Sequence, residues 1–239
     1  MTYDLALYTD GGEEKGRGHL MRTLALVEAA LRAKLKVVVV VPNADLALGW
    51  PCPVYAGRFG FPEAKVTVAD GWEIKCDWAV ADDSLRGWEC GGVIYPHPGK
   101  KSFGKKPVLR GPEYYPLRTQ FRAPVLGVKY RTGIAYRLPG AQTLLRDIAK
   151  ERISVEEVHE MVGGARYIVC PPSVIAYEAM AMGTAVCLHD GLPQYEHISK
   201  ALIKAGWAER WYSGSPPGPR PREPKLDGLG ADRIIKEIT

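Results

Sequence analysis

Short apolar runs alternate along this chain with longer stretches whose apolar residues recur every three or four positions. Leu5-Ala6-Leu7-Tyr8 predicts a buried strand over about Asp4–Thr9. Leu20, Leu24, Val27, Ala30 and Leu31 then fall at helical spacing, predicting a helix over Gly18–Ala33. Lys36–Val41 is a continuous β-branched run, the pattern of a strand covered on both faces. A short helix is expected at Ala44–Leu48, with weaker strands at Val54-Tyr55 and Val66–Val68. Asp77–Asp82 reads as a strand ending in acids, and Val93–Tyr95 and Val108-Leu109 as two more strands. This rhythm predicts an α/β sheet with crossover helices, a Rossmann-like domain over residues 1–122.

A second, reduced half is expected over residues 123–212. Its elements are a strand at Pro124–Val128, helices at Ala141–Ala149 and Val155–Val162, and a strand at Arg166–Cys170. A helix at Ser173–Met182, a strand at Ala185–Leu188 and a helix at Tyr195–Ala205 follow, the last stopped by Gly206. Gly163-Gly164 reads as a helix C-cap. Residues 213–239 form a Pro- and Gly-rich strap ending in a short closing helix over Ala231–Ile238. A ligand is expected in a cleft between the two halves, beyond the strand C-termini.

Composition narrows the class only modestly. Among 239 residues, 46% are hydrophobic and 25% charged, as in an ordinary globular protein. No apolar run approaches the roughly 20 residues of a membrane span, and no signal peptide is visible, so a cytoplasmic protein without a membrane partner is expected. The five cysteines show no metal-ligand spacing and are expected to be reduced and mostly buried. A net charge of +5 permits an anionic partner without requiring one. His97, Lys100, Lys101, Lys105, Lys106 and Arg110 form the densest basic stretch, either a solvated loop or a phosphate-contacting edge. His97, His159, His189 and His197 taken singly read as surface or capping residues.

Four stretches carry candidate chemistry. The first is Gly16-Arg17-Gly18-His19-Leu20-Met21-Arg22, a glycine turn between a strand and a helix. Gly16 and Gly18 let a ligand approach the backbone, and the helix start offers N–H groups to an anion. His19 is placed there as a base, and Arg22 lies on the same helix face. The second is Asp82-Asp83, acids at a strand end that either bind sugar or acceptor hydroxyls or cap the next turn. The third runs from Arg110 to Arg122, where Glu113, Tyr114 and Arg118 are candidates to clamp a ring and a phosphate; a packed interdomain hinge is the other reading. The fourth is the strand, turn and helix from Ile168 to Gly183. There the N–H groups of Ser173 and Val174 suit a diphosphate, Glu178 suits ribose hydroxyls, and Gln194 in a following loop can reach a sugar.

Together these stretches resemble the GT-B nucleotide-sugar enzymes. The Gly-x-Gly-His-x-x-Arg motif is similar to that of murein N-acetylglucosaminyltransferases. The Asp82-Asp83 pair, the Gly111-Pro-Glu-Tyr-x-x-Leu-Arg-x-x-Phe121 segment and the Ser173, Glu178, Gly183 turn and helix resemble the UDP-sugar hydrolases of the pseudaminic acid pathway. The order is kept from residue 4 to about 207. Three features depart from the pattern. Pro171-Pro172-Ser173 replaces a Gly-Gly-Ser/Thr turn, Gly127–Gly133 replaces a glycine-rich phosphate loop, and Leu192-Pro193-Gln194 keeps only the Gln of an Asp-Asn-Gln.

The resemblance implies a GT-B-like fold, two Rossmann-like domains with the C-terminal one reduced. It also implies a UDP-sugar substrate with no further cofactor and no metal, and inverting cleavage of the anomeric bond with His19 as general base. His19, Asp82 and Asp83 form the expected catalytic set. Arg22 or Arg118, with the Ser173 helix start, would stabilise the departing diphosphate. Water as acceptor makes a hydrolase. A hydroxyl acceptor, including a hydroxymethylated base in phage DNA, makes a glycosyltransferase. A non-catalytic nucleotide-sugar-binding module is the third reading.

Overall fold

In the computed structural model, residues 2–11, 17–57, 61–82, 88–122, 133–135, 146–147, 155–189, 193–212 and 226–239 are described. The first strands and helix follow the apolar pattern: β1 Tyr3–Thr9, α1 Gly18–Arg32, β2 Val37–Val41 and β3 Val54–Ala56. Next come β4 Ala64–Asp70, β5 Cys76–Val80, β6 Cys90–Tyr95 and β7 Val108–Arg110. Later in the chain lie β8 Ile134–Ala135, β9 Arg146–Asp147, α2 Val155–Gly164, β10 Tyr167–Cys170 and α3 Val174–Ala181. β11 Ala185–Leu188, α4 Glu196–Lys204, β12 Glu209–Arg210 and α5 Gly230–Ile238 complete the described elements.

The chain divides into two units. One holds Met1–Thr119 together with Gly228–Thr239, and the other holds Gln120–Asp227. In the first, seven strands form a parallel sheet in the order β3-β2-β1-β4-β5-β6-β7. The strand order reverses between β1 and β4, which opens a crevice at their carboxyl ends. Side-chain parity decides what lines it. Leu5 and Leu7 of β1 share a core with Val68, Val80 and Ile94, against α1. Ala6 and Tyr8 belong to the core on the opposite face. Thr9 therefore follows Leu5 and Leu7 onto the α1 side, and its register partner Asp70 follows Val68.

The closing helix returns to this first unit. Ala231, Ile234, Ile235 and Ile238 of α5 enter the same core as α1 and β1. Arg32 holds Asp232 at 2.8 Å, and Arg233 donates to the Glu113 carbonyl at 2.9 Å. Gly230 packs against the Tyr115 backbone so closely that a Cβ there would collide with the Tyr115 carbonyl.

The second unit carries a five-stranded parallel sheet, β12-β11-β10-β8-β9. Three of its strands, β8, β9 and β12, are only two residues long and escape the apolar pattern. Residues 146–147 form β9 inside the stretch expected to be a helix over Ala141–Ala149; Arg146 and Asp147 gain backbone pairing with Ile134 and Ala135 that local periodicity does not reveal. Helix α2 runs through Gly163 and ends at Gly164, so this glycine pair closes the helix from inside. Gly206, at φ +72°, stands just beyond the end of α4. The expected strand at Pro124–Val128 and the strap over residues 213–225 lie outside the described residues.

Four of the five cysteines are buried, Cys52 is half-buried, and all are free. Burial pushes the Cys76 thiol up to about 12 and Cys52 up to about 11. Among the described residues, no helix is long and apolar enough to cross a membrane.

Replacing Gly230 by Val is expected to destabilise the first unit by about 1–3 kcal/mol, because the new side chain meets rigid backbone. A lowered urea midpoint with an unchanged slope would show it; an unchanged midpoint would mean that α5 does not dock this way.

Candidate active site

A buried charged chain crosses the carboxyl edge of the first sheet. Arg22 projects from the second turn of α1 and is only 3% exposed. Its Nε donates to Asp70 Oδ2 at 2.9 Å and its Nη2 to Asp70 Oδ1 at 2.7 Å. The same guanidinium turns its other edge to Asp82, with Nη2 donating to Oδ2 at 2.9 Å and Nη1 to Oδ1. Asp70 ends β4 and Asp82 follows β5, so neighbouring strands supply the two carboxylates.

Each carboxylate also carries a histidine. His19 Nδ1 lies 2.7 Å from Asp70 Oδ1, and His97 Nε2 lies 2.9 Å from Asp82 Oδ1. A carboxylate already paired with a guanidinium accepts, so His19 presents Nδ1–H to Asp70. Arg22 Nη2 is also 2.9 Å from His19 Nδ1. Two donors face each other there, and they share Asp70 Oδ1 rather than bonding to one another. This tautomer leaves the lone pair on His19 Nε2, which has no hydrogen-bond partner among the described residues. The His19 side chain is 22% exposed, so the basic nitrogen can meet a ligand while the Asp70 side stays dry.

Backbone geometry fixes the ring. Gly71 follows Asp70 at φ +76°, and a Cβ there would come within 2.6 Å of the His19 ring. Only glycine combines this conformation with that close approach. Burial alone would push the Asp82 carboxyl up. The Arg22 guanidinium and then His97 outweigh it and hold Asp82 well below the usual carboxylate range. Burial works against the Arg22 charge too, yet Asp70 and then Asp82 hold it firmly protonated.

The structure brings His19, Arg22 and Asp82 together and adds Asp70 and His97. His97 is 2% exposed, so it is not the surface residue expected from its basic neighbours. Its ring also meets Tyr95 at 5.3 Å and Tyr115 at 6.0 Å. His189 is likewise buried. Arg22 has a different task from the diphosphate contact expected of it, since its donors are spent on two carboxylates. Asp82 is engaged from both sides, by Arg22 and by His97. Gly18 opens α1, whose first turn has no acidic residue and whose N-cap, Arg17, makes no side-chain capping bond. Gly16 and Asp83 lie outside the described residues.

The remaining candidates are spread over both units. Glu113 is exposed and Tyr114 half-buried in a 3-10 turn at Pro112–Tyr114, behind Gly111 at φ +110°. Arg118 is buried. In the second unit Ser173 takes the N-cap position of α3, but its hydroxyl donates to the Pro171 carbonyl at 3.3 Å rather than capping the helix. Val174 begins that helix. Glu178 is 4% exposed, so it does not lie on a wet face of α3. Gln194 sits in a 3-10 turn at Pro193–Tyr195. In the basic stretch, Lys106 is bound to the Cys90 carbonyl and Arg110 to the Lys101 carbonyl at 2.6 Å, while Lys100 and Lys105 are exposed.

No family model matches this chain, and no curated protein matches it.

Two predictions follow from the geometry. Gly71→Ala should displace the His19 ring and destabilise the unit by about 1–3 kcal/mol, seen as altered His19 imidazole resonances and a lower urea midpoint; unaltered resonances would contradict the close approach. Asp82 has a depressed folded-state pKa, so its contribution to stability is fully present above the unfolded carboxylate value of about 3.9. That contribution is lost as pH falls from there through the lower folded value. Urea midpoints between neutral pH and about pH 2 should therefore fall less steeply in Asp82→Asn than in the parent, and equal steepness would contradict the pairing.

Proposed function

We propose that this chain is a nucleotide-sugar enzyme of the GT-B type, acting on a UDP-sugar with His19 as general base. The observation that carries the reading is the His19–Asp70 contact at the switch point of a seven-stranded parallel sheet. Ligands of open α/β sheets bind in that crevice, and there His19 turns a lone pair outward. A histidine held through Nδ1 by a carboxylate is equipped to take a proton at Nε2 and to be stabilised once it is charged.

In the proposed reaction, an acceptor oxygen attacks the anomeric carbon on the face opposite the diphosphate. His19 Nε2 takes the acceptor proton, and the anomeric C–O bond breaks with its electron pair leaving on UDP. The configuration inverts. A positioned base contributes on the order of 10²–10⁴-fold to such a step. Asp70 takes the place of Asp82 as the acid nearest the chemistry, because it touches the base directly. The second parallel sheet, with Ser173 before α3 and Glu178 within it, supports a reduced nucleotide-binding half of a GT-B pair. In this reading the Ser173 helix start receives the diphosphate and Glu178 the ribose.

Water is the leading acceptor, which makes the protein a UDP-sugar hydrolase. Transfer to a hydroxyl, including one on a hydroxymethylated base of DNA, is the competing outcome. The internal engagement of His97, Lys106 and Arg110 leaves fewer cations for a nucleic-acid backbone than the sequence promises.

UDP release from a panel of UDP-sugars, with and without hydroxymethylated DNA, tests the proposal. Free sugar without added acceptor is expected; sugar recovered on the DNA would make the enzyme a transferase, and no release in either arm would overturn both. His19→Gln should lower turnover by roughly 10²–10⁴-fold with UDP binding retained. Full turnover in that variant would remove His19 from the mechanism.

A further inference from the structure

The carboxyl edge of the first sheet carries a second cluster, and it is aromatic. Tyr8 is the penultimate residue of β1, in register with Ala69 of β4. Its parity sends it to the face opposite Leu7 and α1, into the core that Trp72 shares. The Tyr8 ring meets Phe61 at 5.4 Å and Trp72 at 6.4 Å, both edge to face. Tyr8 and Trp72 are buried, whereas Phe61 is 50% exposed.

An exposed phenyl on its own needs no explanation. This one differs in two ways. Its ring rests on a buried ring that a second buried ring holds in turn, and an edge-to-face contact covers at most one face of either partner. Phe61 therefore keeps ring surface open to a ligand in a fixed direction. It also packs on the end of β1, beside β4, the pair at which the strand order reverses.

Gly71 joins this cluster to the charged one. It follows Asp70, it lies against the His19 ring, and Trp72 comes next in the chain. The crevice is thus flanked by His19 and charged groups on the α1 side and by aromatic rings on the other. A ligand that suits both sides has a polar side and an apolar one. A pyranose is such a molecule, because its axial C–H bonds gather on one face while its hydroxyls point away. Those hydrogens are electron-poor beside oxygen, and the face of an aromatic ring carries the negative part of its quadrupole.

We propose that Phe61, braced by Tyr8 and Trp72, is a sugar-binding residue of this site: its ring takes the apolar C–H face of a pyranose, with the reacting carbon on the His19 side. That the sugar arrives on a nucleotide rests on the function proposed above; recognition of a pyranose by the ring does not.

The test compares Phe61→Ala, Phe61→Leu and Phe61→Tyr with the parent. Leucine keeps apolar bulk without a ring face, and tyrosine keeps the ring. With a UDP-sugar that the enzyme turns over, KM should rise by about 3- to 10-fold in Phe61→Ala and Phe61→Leu and return in Phe61→Tyr, while inhibition by UDP alone stays unchanged. An unmoved KM in both ring-less variants overturns the proposal. So does a KM that Phe61→Leu restores, which makes Phe61 a packing residue, or an equal weakening of UDP, which puts the base rather than the sugar on the ring. Should Phe61→Ala fail to fold, Phe61→Leu and Phe61→Tyr decide. If no UDP-sugar is turned over, the intact chain is titrated with methyl glucoside, methyl galactoside and methyl N-acetylglucosaminide, and the Tyr8 and Trp72 ring resonances are followed by NMR. Shifts in the parent and Phe61→Tyr that vanish in Phe61→Ala and Phe61→Leu keep this inference while the proposed function fails. Resonances unmoved by all three sugars sink the inference as well.

Discussion

Arg22 organises the first unit's chemistry because a desolvated guanidinium must be answered by carboxylates. It receives two, from the ends of adjacent strands, and holds each along an edge of its planar fork. That requirement ties helix α1 to β4 and to the segment after β5. Removing the guanidinium would leave two acids facing each other in a dry site, the costly way to break a buried pair. The same geometry places His19 beside Asp70, since both histidine and arginine project from one face of α1, three residues apart.

Function is proposed to follow from this fixed frame rather than from a flexible loop. The ring of His19 is held by a carboxylate on one nitrogen and by the absence of a side chain at Gly71 on its flank. Both constraints come from the last residues of β4, where sheet and crevice meet. A base held on strand and helix ends keeps its direction better than one on a long loop. Beside Asp82, His97 extends the same frame to the end of β6.

Much of the first fold was legible in the chain. The runs Leu5–Thr9 and Val37–Val41 are apolar at every or nearly every position, as strands covered on both sides must be, and α1 shows its helical period plainly. His19 and Asp82 were legible as candidates because each stands at an element boundary, and Arg22 because it lies three residues from His19 on the same helix face. Asp70 was not, since the apolar pattern marks this strand only around Val66–Val68 and stops short of its last residue. Its parity with Val68, and the Gly71 that follows it, were the available signals. His97 was hidden among lysines whose charge suggested a wet loop; its place just after a strand on the crevice edge was the better guide. Residues 146–147 pair as a strand through partners distant in sequence, which no local pattern encodes.

The central claim is that Asp70 orients His19 with its basic nitrogen toward the ligand. Nitrogen-15 NMR of the histidine rings at neutral pH tests it most directly. The account predicts that Nδ1 of His19 carries the proton and Nε2 does not, and that Asp70→Asn weakens this preference. A parent protein with the proton on Nε2 would contradict the account, because the atom assigned to take the acceptor proton would already hold one.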